Sequence, residues 1–312
     1  MKVTVATANL AGVAREEKAH PEKFKRLGPV LAGADLVGLQ EVVQVYDAAG
    51  EVVRDDLAVL QQQGGLSGYQ SFFFPHLDST QQSHYKKWPI VFPEYYEQGY
   101  RIQQGSAVLV RKEHPLRDLL LDDRPGSVTG LFVPWTSAFY GGNRDTEPRS
   151  LLLARVRLQH RRFVLFACTH LTALTEENKH GRRAPTERAK HIRQRQMAWI
   201  VEYIRTYRAE RRKTCQERDE PYQEEPLILV GDFNALPKEL EESRLSELNL
   251  EEIEPTEGPS FTHRKHQIRI DLIYASTSIT GNAARVIDLS ALETVEDQRI
   301  SDHYPVIAEF EV

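Results

Sequence analysis

An α+β fold, two packed β-sheets with helices on the outside, is what this 312-residue sequence predicts. Two observations lead there. Apolar runs of strand length and period outnumber helical ones, and they fall before and after the helical stretches instead of alternating with them as a regular βαβ array requires. Acids, amides and histidines recur at the ends of those runs from position 9 to position 303. Such distant residues must converge to act together, so one domain covering 1–312 is the economical reading.

The first strand-like run, 2–9, contains Val3-Thr4-Val5-Ala6-Thr7-Ala8 and ends at Asn9. A helical pattern fits 21–33. The run 36–40 leads into Leu39-Gln40-Glu41-Val42, and a second helical pattern fits 54–63. Strands follow at 70–74, 106–111, 129–134 and 151–158. The run 162–169 ends in Thr169-His170-Leu171. The clearest helix covers 186–212, where Ile192, Trp199, Ile200, Tyr203, Ile204 and Tyr207 form one stripe at three- and four-residue spacing. Thr186-Glu187 after Pro185 supplies its start. Residues 213–226, rich in Glu, Arg and Gln, read as an exposed connection. Strands at 227–231, 268–275 and 305–311 complete the chain. The first runs into Gly231-Asp232-Phe233-Asn234, the second holds Arg269-Ile270-Asp271-Leu272-Ile273-Tyr274, and Ser301-Asp302-His303-Tyr304-Pro305 leads into the third. No internal repeat or low-complexity tract interrupts them.

With 40% hydrophobic and 27% charged residues, the chain can bury an ample core. No basic segment followed by an apolar stretch marks a secretory signal, and no apolar run is long enough for a bilayer. Cys168 and Cys215 form neither a disulfide framework nor a metal-ligand pattern. Cys168, at the end of Phe163-Val164-Leu165-Phe166-Ala167, reads as a small buried hydrophobe. A reducing, cytoplasmic compartment is therefore expected. The net charge of −5 argues against an indiscriminate grip on nucleic acid. A local basic stretch at 179–195, with five arginines and two lysines, is either a solvated helix face or a phosphate-facing rim.

Each motif has a chemical reading. Glu41 emerges where its strand ends, and a carboxylate there suits Mg²⁺, which takes one or two carboxylates and keeps its waters. Asp232 and Asn234 are two apart on an extended chain and so face one side. One can orient water or bind metal while the amide donates to a phosphoryl oxygen; an Asx turn is the bland alternative. Asp271 sits on a strand, where burial is costly without a partner. His303 is the natural one, because an Asp accepting from one imidazole nitrogen fixes the tautomer and raises the basicity of the other. His170 could donate to phosphate or act as a general acid. The set Asn9, Glu41, His170, Asp232, Asn234, Asp271, Asp302 and His303 has many oxygen ligands and no nucleophilic Ser or Cys arrangement. It suits metal-assisted attack of water on a phosphate ester, and zinc less well.

These motifs, Leu39-Gln40-Glu41, Gly231-Asp232-Phe233-Asn234 and Ser301-Asp302-His303 above all, resemble those of the endonuclease/exonuclease/phosphatase superfamily, the DNase I-like proteins, over essentially the whole chain. The resemblance implies a four-layered α/β sandwich, two packed mixed β-sheets flanked by helices, with the active site where strand ends of the two sheets meet. It implies Glu41 as principal Mg²⁺ ligand (Mn²⁺ as a substitute), with Asp302 and Asn9 close to the metal. Asp232 resembles the residue that orients or activates the attacking water, and Asn234 a phosphate or metal contact. Asp271 and His303 resemble the acid–histidine pair and His170 the second histidine. Arg149 resembles an arginine that reaches substrate phosphate. Thr169-His170-Leu171 departs from the tyrosine-containing motif of AP endonucleases. Gln104 is expected where DNase I-like enzymes carry an acid that supports the second histidine, which favours phosphate hydrogen bonding over a general-acid role for His170.

Loops decide the substrate on such a fold. Residues 75–104 interleave basic and aromatic side chains, suited to stacking bases or to packing among themselves. Residues 135–149 include Gly141-Gly142-Asn143-Arg144-Asp145, and the basic stretch at 179–195 is the third. The leading expectation is a Mg²⁺-dependent phosphodiesterase on nucleic acid or a nucleotide, with no obligate protein partner. An inositol-phosphate phosphatase or sphingomyelinase-like phospholipase C is the alternative, and a catalytically inactive binding protein the remote one.

Overall fold

Period-two alternation sends the two faces of each strand into different cores. Val3, Val5, Leu36, Val108 and Val110 on one sheet pack between the sheets against Leu152, Ala154, Phe166, Cys168, Ile228 and Val230 on the other. Their neighbours Ala6, Ala8, Val37, Leu39, Ala107 and Leu109 turn outward, against Phe24, Leu27, Leu31, Leu57 and Leu60. Leu151, Leu153, Leu165, Ala167, Leu227 and Leu229 turn outward from the other sheet, against Met197, Ile200, Val201 and Ile204. The result is helix, sheet, sheet, helix: the four-layered α/β sandwich of the DNase I-like fold. The computed structural model describes residues 1–10, 20–81, 88–121, 124–134, 147–159, 162–173, 175–177, 183–185, 187–256, 258–263, 266–281, 284–289 and 301–312.

The chain runs β1 (Lys2–Asn9), α1 (His20–Leu31), β2 (Leu36–Tyr46), β3 (Val52–Asp55), α2 (Asp56–Gln63) and β4 (Tyr69–Asp78). Then come α3 (Trp88–Val91), α4 (Pro93–Glu97), β5 (Arg101–Arg111), β6 (Leu116–Arg117), β7 (Thr129–Val133), β8 (Arg149–Gln159) and β9 (Arg162–His170). A hairpin of β10 (Thr175–Glu177) and β11 (Arg183–Pro185) precedes α5 (Glu187–Glu217), β12 (Leu227–Asp232) and α6 (Pro237–Glu241). The remainder is β13 (Leu250–Glu252), β14 (Phe261–His263), β15 (His266–Ile268), β16 (Asp271–Ser276), β17 (Thr280–Gly281), β18 (Arg285–Val286) and β19 (Val306–Glu311). One sheet has eight strands, ordered β17-β19-β1-β2-β5-β4 with β18 beside β19 and β3 beside β2. The other has seven, ordered β13-β16-β12-β9-β8-β6 with β7 beside β8. Both are mixed, through the parallel pairs β1–β2 and β9–β12.

The two sheets touch closely at Gly38. A Cβ there would lie 2.5 Å from Val230 and 2.9 Å from the Cys168 sulfur, so only glycine fits. Burial pushes the Cys168 thiol up to about 12, as suits a small core hydrophobe.

Three expectations need correction. The helix expected to end at 212 continues to Glu217, because Arg211 and Cys215 are both buried and keep its apolar face going. The strand expected over 268–275 is two strands, broken where Ser260 Oγ accepts from both Ile270 N and Asp271 N at 3.0 and 2.9 Å. The run at 36–40 extends to Tyr46 through a bulge between Leu39 and Val42. Among the described residues no helix is long and apolar enough to cross a membrane.

Candidate active site

Register brings the expected residues to one end of the sandwich. Asp232 closes β12 opposite His170 of parallel β9 and Asp271 of antiparallel β16. Arg149 opens β8, two residues before Leu151, the partner of Thr169. Asn9 closes β1 beside Gln40, and His303 enters just before β19 returns along β1. Gly231 makes this possible: at φ +152° its missing Cβ leaves room for the Thr169 carbonyl oxygen, which a Cβ would meet at 1.9 Å.

Asp232, 1% exposed, is the hub. Its Oδ2 accepts from Asn9 Nδ2 at 2.8 Å and lies 3.5 Å from His170 Nε2 and 3.8 Å from His303 Nδ1. Its Oδ1 accepts from the Asn234 backbone N at 2.9 Å, the Asx turn that was the bland alternative, while Asn234 Nδ2 donates to the Leu171 carbonyl at 3.2 Å. Asn234 holds this turn at φ +49°. Burial, then the neighbouring Asp271 charge, raise the Asp232 carboxyl well above the ordinary carboxylate range.

His303 Nδ1 faces both oxygens of the fully buried Asp271, at 2.9 and 3.1 Å. Burial alone would depress the imidazole, but the charges of Asp271 and Asp232, with a further push from Asp302, overcome it and raise it to about 10. The ring sits 4.7 Å from that of Phe261. Ser301 locks the segment: its Oγ donates to the Asn9 carbonyl at 3.0 Å and accepts from His303 N at 3.0 Å.

Arg149 Nη1 lies 3.2 and 3.3 Å from the two nitrogens of His170. A guanidinium only donates, so the nitrogen it meets accepts and that ring is neutral. Arg149 Nη2 pairs with Glu147 Oε2 at 2.9 Å, with both residues under 5% exposed. His76 packs on His170 at 6.3 Å between ring centres, its Nδ1 3.0 Å from Ser150 Oγ. Burial, then the Arg149 charge, push His76 down to about 3, so it too is neutral.

Gln104 does not support His170. Its Nε2 donates to Glu41 Oε2 at 3.1 Å, because β5 pairs with β2 and not with the sheet that carries His170. Among the described residues, Arg149, His76 and Asp232 lie against His170. Glu41 follows Gln40, the register partner of Asn9, at φ +55° within the β2 bulge. A glutamate there is strained, and such strain concentrates where a side chain is aimed for use. Asp302 is half-buried beside His303.

Among the described residues, ligand atoms of Asp232, Asp271 and His303 lie within 4.8 Å of one another. His303 Nδ1 faces Asp271, so the trio is arranged for proton transfer. Glu41, Asp302 and Asn9 each carry a side-chain oxygen donor, and Asn9 Nδ2 is given to Asp232. That set fits a hard cation such as Mg²⁺.

Sequence reasoning gave no site role to Glu147, Ser301 or Phe261, and placed His76 in the 75–104 substrate loop and not beside His170. Ser301 was visible in its motif, but a hydroxyl carries no signature until its partners are known. Of the substrate loops, 82–87 and 135–146 lie outside the described residues. In the rest of 75–104, Trp88 is fully buried, Tyr95 stacks with Tyr100 at 6.2 Å and Arg101 is bound to Asp78, while His76 and Gln104 at its two ends turn to His170 and Glu41. In the basic stretch, Arg193 is buried against Glu239 and Lys190 pairs with Glu242 at 2.8 Å, so these two fasten α6 to α5 instead of facing substrate.

No protein-family model matches the chain, and no curated protein does either. Solved structures do. A humanized TDP2 from D. rerio shares 16% identity at TM-score 0.58, covering 100% of this chain and 99% of that one. D. rerio TDP2 complexed with a single-strand DNA product shares 15% at 0.56, with the same coverage. An endonuclease/exonuclease/phosphatase from Beutenbergia cavernae shares 19% at 0.61, covering 100% of this chain and 72% of that one. The fold of this chain is the endonuclease/exonuclease/phosphatase fold.

Proposed function

We propose that this chain, with its endonuclease/exonuclease/phosphatase fold, is a metal-dependent phosphodiesterase that hydrolyses nucleic acid by activated water. The observation that carries the reading is the buried group in which Asp232 is ringed by Asn9, His170 and the His303–Asp271 pair. Glu41, Asp302 and Asn9 would hold Mg²⁺ or Mn²⁺, which neutralises phosphate charge when bound. Asp232, with its raised proton affinity, accepts a proton from the attacking water. His303, held by Asp271 through Nδ1, presents Nε2 to the phosphate and carries the positive charge that the developing oxyanion needs. Arg149 supplies a second cation. His170, neutral against Arg149, serves as a hydrogen-bonding partner and not as an acid, and Asn234 adds an amide contact to phosphate. The TDP2 structure with a single-strand DNA product, covered almost end to end by this chain, favours a nucleic-acid substrate.

The test is purified protein with plasmid DNA, single-stranded DNA and RNA, with and without Mg²⁺ or Mn²⁺, and Asp232→Ala as control. Metal-dependent cleavage lost in the variant is expected. Absence of cleavage on all three, with turnover of inositol phosphates or sphingomyelin, would replace the nucleic-acid assignment by the phosphatase or phospholipase one.

A further inference from the structure

Backbone register places part of the catalytic group in one row across the seven-stranded sheet. Asp271 pairs with Asp232, and Asp232 with His170. Leu151 stands opposite Thr169, so Ser150 stands opposite His170, and Ser150 in turn pairs with Phe132 of β7. The row reads Asp271, Asp232, His170, Ser150, Phe132. Its last three members face the other sheet: His170 packs on His76, Ser150 Oγ lies 3.0 Å from His76 Nδ1, and the Phe132 ring meets that of Phe74 at 5.1 Å between centres. Neighbouring strands lie about 4.8 Å apart, which puts Phe132 roughly 10 Å from His170. The other four members are buried, whereas Phe132 is 57% exposed, the highest value for a large apolar side chain among the described residues. A lone apolar residue on a surface carries no message, but this one ends the catalytic row and its surroundings are shaped for it. Phe74 lies over Gly130, where a Cβ would strike its ring at 2.1 Å, and its edge-to-face contact steadies the Phe132 ring while leaving over half of it open.

We infer that Phe132 is a stacking platform for an unpaired base of the strand whose phosphate lies at Arg149 and His170; the inference rests on the nucleic-acid reading above. Every base has a π-face, so an aromatic ring takes any of them with little regard to sequence. A base inside a duplex is already stacked on both sides, so the platform serves a single strand or a frayed end. With a net charge of −5 the chain has little non-specific electrostatic grip on a polyanion, which leaves contacts of this kind to hold the strand. Phe132 thereby sets a preference for unpaired over paired substrate at the proposed active site.

Fluorescence polarisation tests it, with EDTA present to suppress cleavage. The probes are a fluorescein-labelled oligothymidylate, its duplex with oligoadenylate, and an abasic strand of equal length and charge. The parent is expected to bind the oligothymidylate more tightly than the abasic strand. Phe132→Ala and Phe132→Leu should weaken oligothymidylate binding roughly tenfold and leave the abasic strand and the duplex unchanged. Phe132→Leu keeps apolar bulk on the strand, so its melting scan should match the parent, and it carries the test if Phe132→Ala loses stability. Weakening of all three probes alike, or of none, would overturn the platform. Equal loss on duplex and single strand would overturn the unpaired-base assignment. A parent that cuts single strands yet shows no preference for oligothymidylate over the abasic strand would overturn the platform alone. A parent that neither binds nor cuts any nucleic acid would overturn the nucleic-acid reading, and this inference with it.

Discussion

Asp271→Asn isolates the electrostatic work in the candidate active site. The substitution keeps shape and removes one charge from a residue with no exposed surface, 2.9 Å from His303 Nδ1. His303 stands at about 10 against an ordinary 6.5, even though burial works in the opposite direction. At about 1.4 kcal/mol per unit, that net rise favours the imidazolium by something on the order of 5 kcal/mol in the folded protein, after burial has been overcome. At 7% exposure solvent screens little of that. Asp271 is the nearer of the two carboxylates, so its neutralisation should cost about 3 kcal/mol, in line with breaking a buried pair. Because folding raises the His303 value, the stabilisation is complete below its unfolded value near 6.5 and is lost as pH rises through about 10. The parent should therefore lose stability across that window. The variant, starting lower, should lose less. Urea denaturation at pH 6, 8 and 10 measures both slopes, and turnover should fall by about 10²–10⁴. Parallel slopes for parent and variant would refute the assignment of the raised His303 value to Asp271.

Four further outcomes are expected. Glu41→Gln should raise the Mg²⁺ concentration for half-maximal activity by one to two orders of magnitude, roughly, and an unchanged metal titration would remove Glu41 from the ligand set. Arg149→Met removes the guanidinium from its buried pair with Glu147 and should cost about 3–5 kcal/mol in denaturant, most of it recovered by adding Glu147→Gln; no recovery in the double variant contradicts the pair. Gly231→Ala drives a Cβ into the Thr169 carbonyl and should lower the melting temperature and displace Asp232, with activity falling further than stability explains. Cys168 should ignore Ellman's reagent in native protein and react after denaturation, because its thiol is buried and pushed up to about 12.

Much of this fold follows from local pattern. Alternation in β1, β8, β9 and β12 is strict enough to separate the inner core from the two outer ones by parity alone. What escaped reading depends on partners far away in sequence. The bulge at Glu41 comes from the pairing of β2 with β5, and the break at 269–270 from Ser260. In the site, Asp232, Asp271 and His303 were legible because acids and histidines at strand ends have few other uses. Glu147, His76 and Ser301 were not, because their roles consist of whom they touch. Gln104 shows the hazard: it lies within a strand of the right kind, on the wrong sheet for His170.

The antiparallel pairing of β1 with β19 has a consequence for how the protein comes into being. Ser301 clasps the Asn9 carbonyl across 292 positions, and β19 covers an edge of β1 that would otherwise lie open. During synthesis β1 emerges early and can pair with β2, but its other edge, with Val3 and Val5 on the strand, waits for β19. Ordering that waits on so distant a contact is slow, and the waiting edge invites pairing with other chains. His303 reaches Asp271 in the same step that seals this edge. A nascent chain short of its last strand is thus both adhesive and inert, and the arrival of β19 ends both conditions at once.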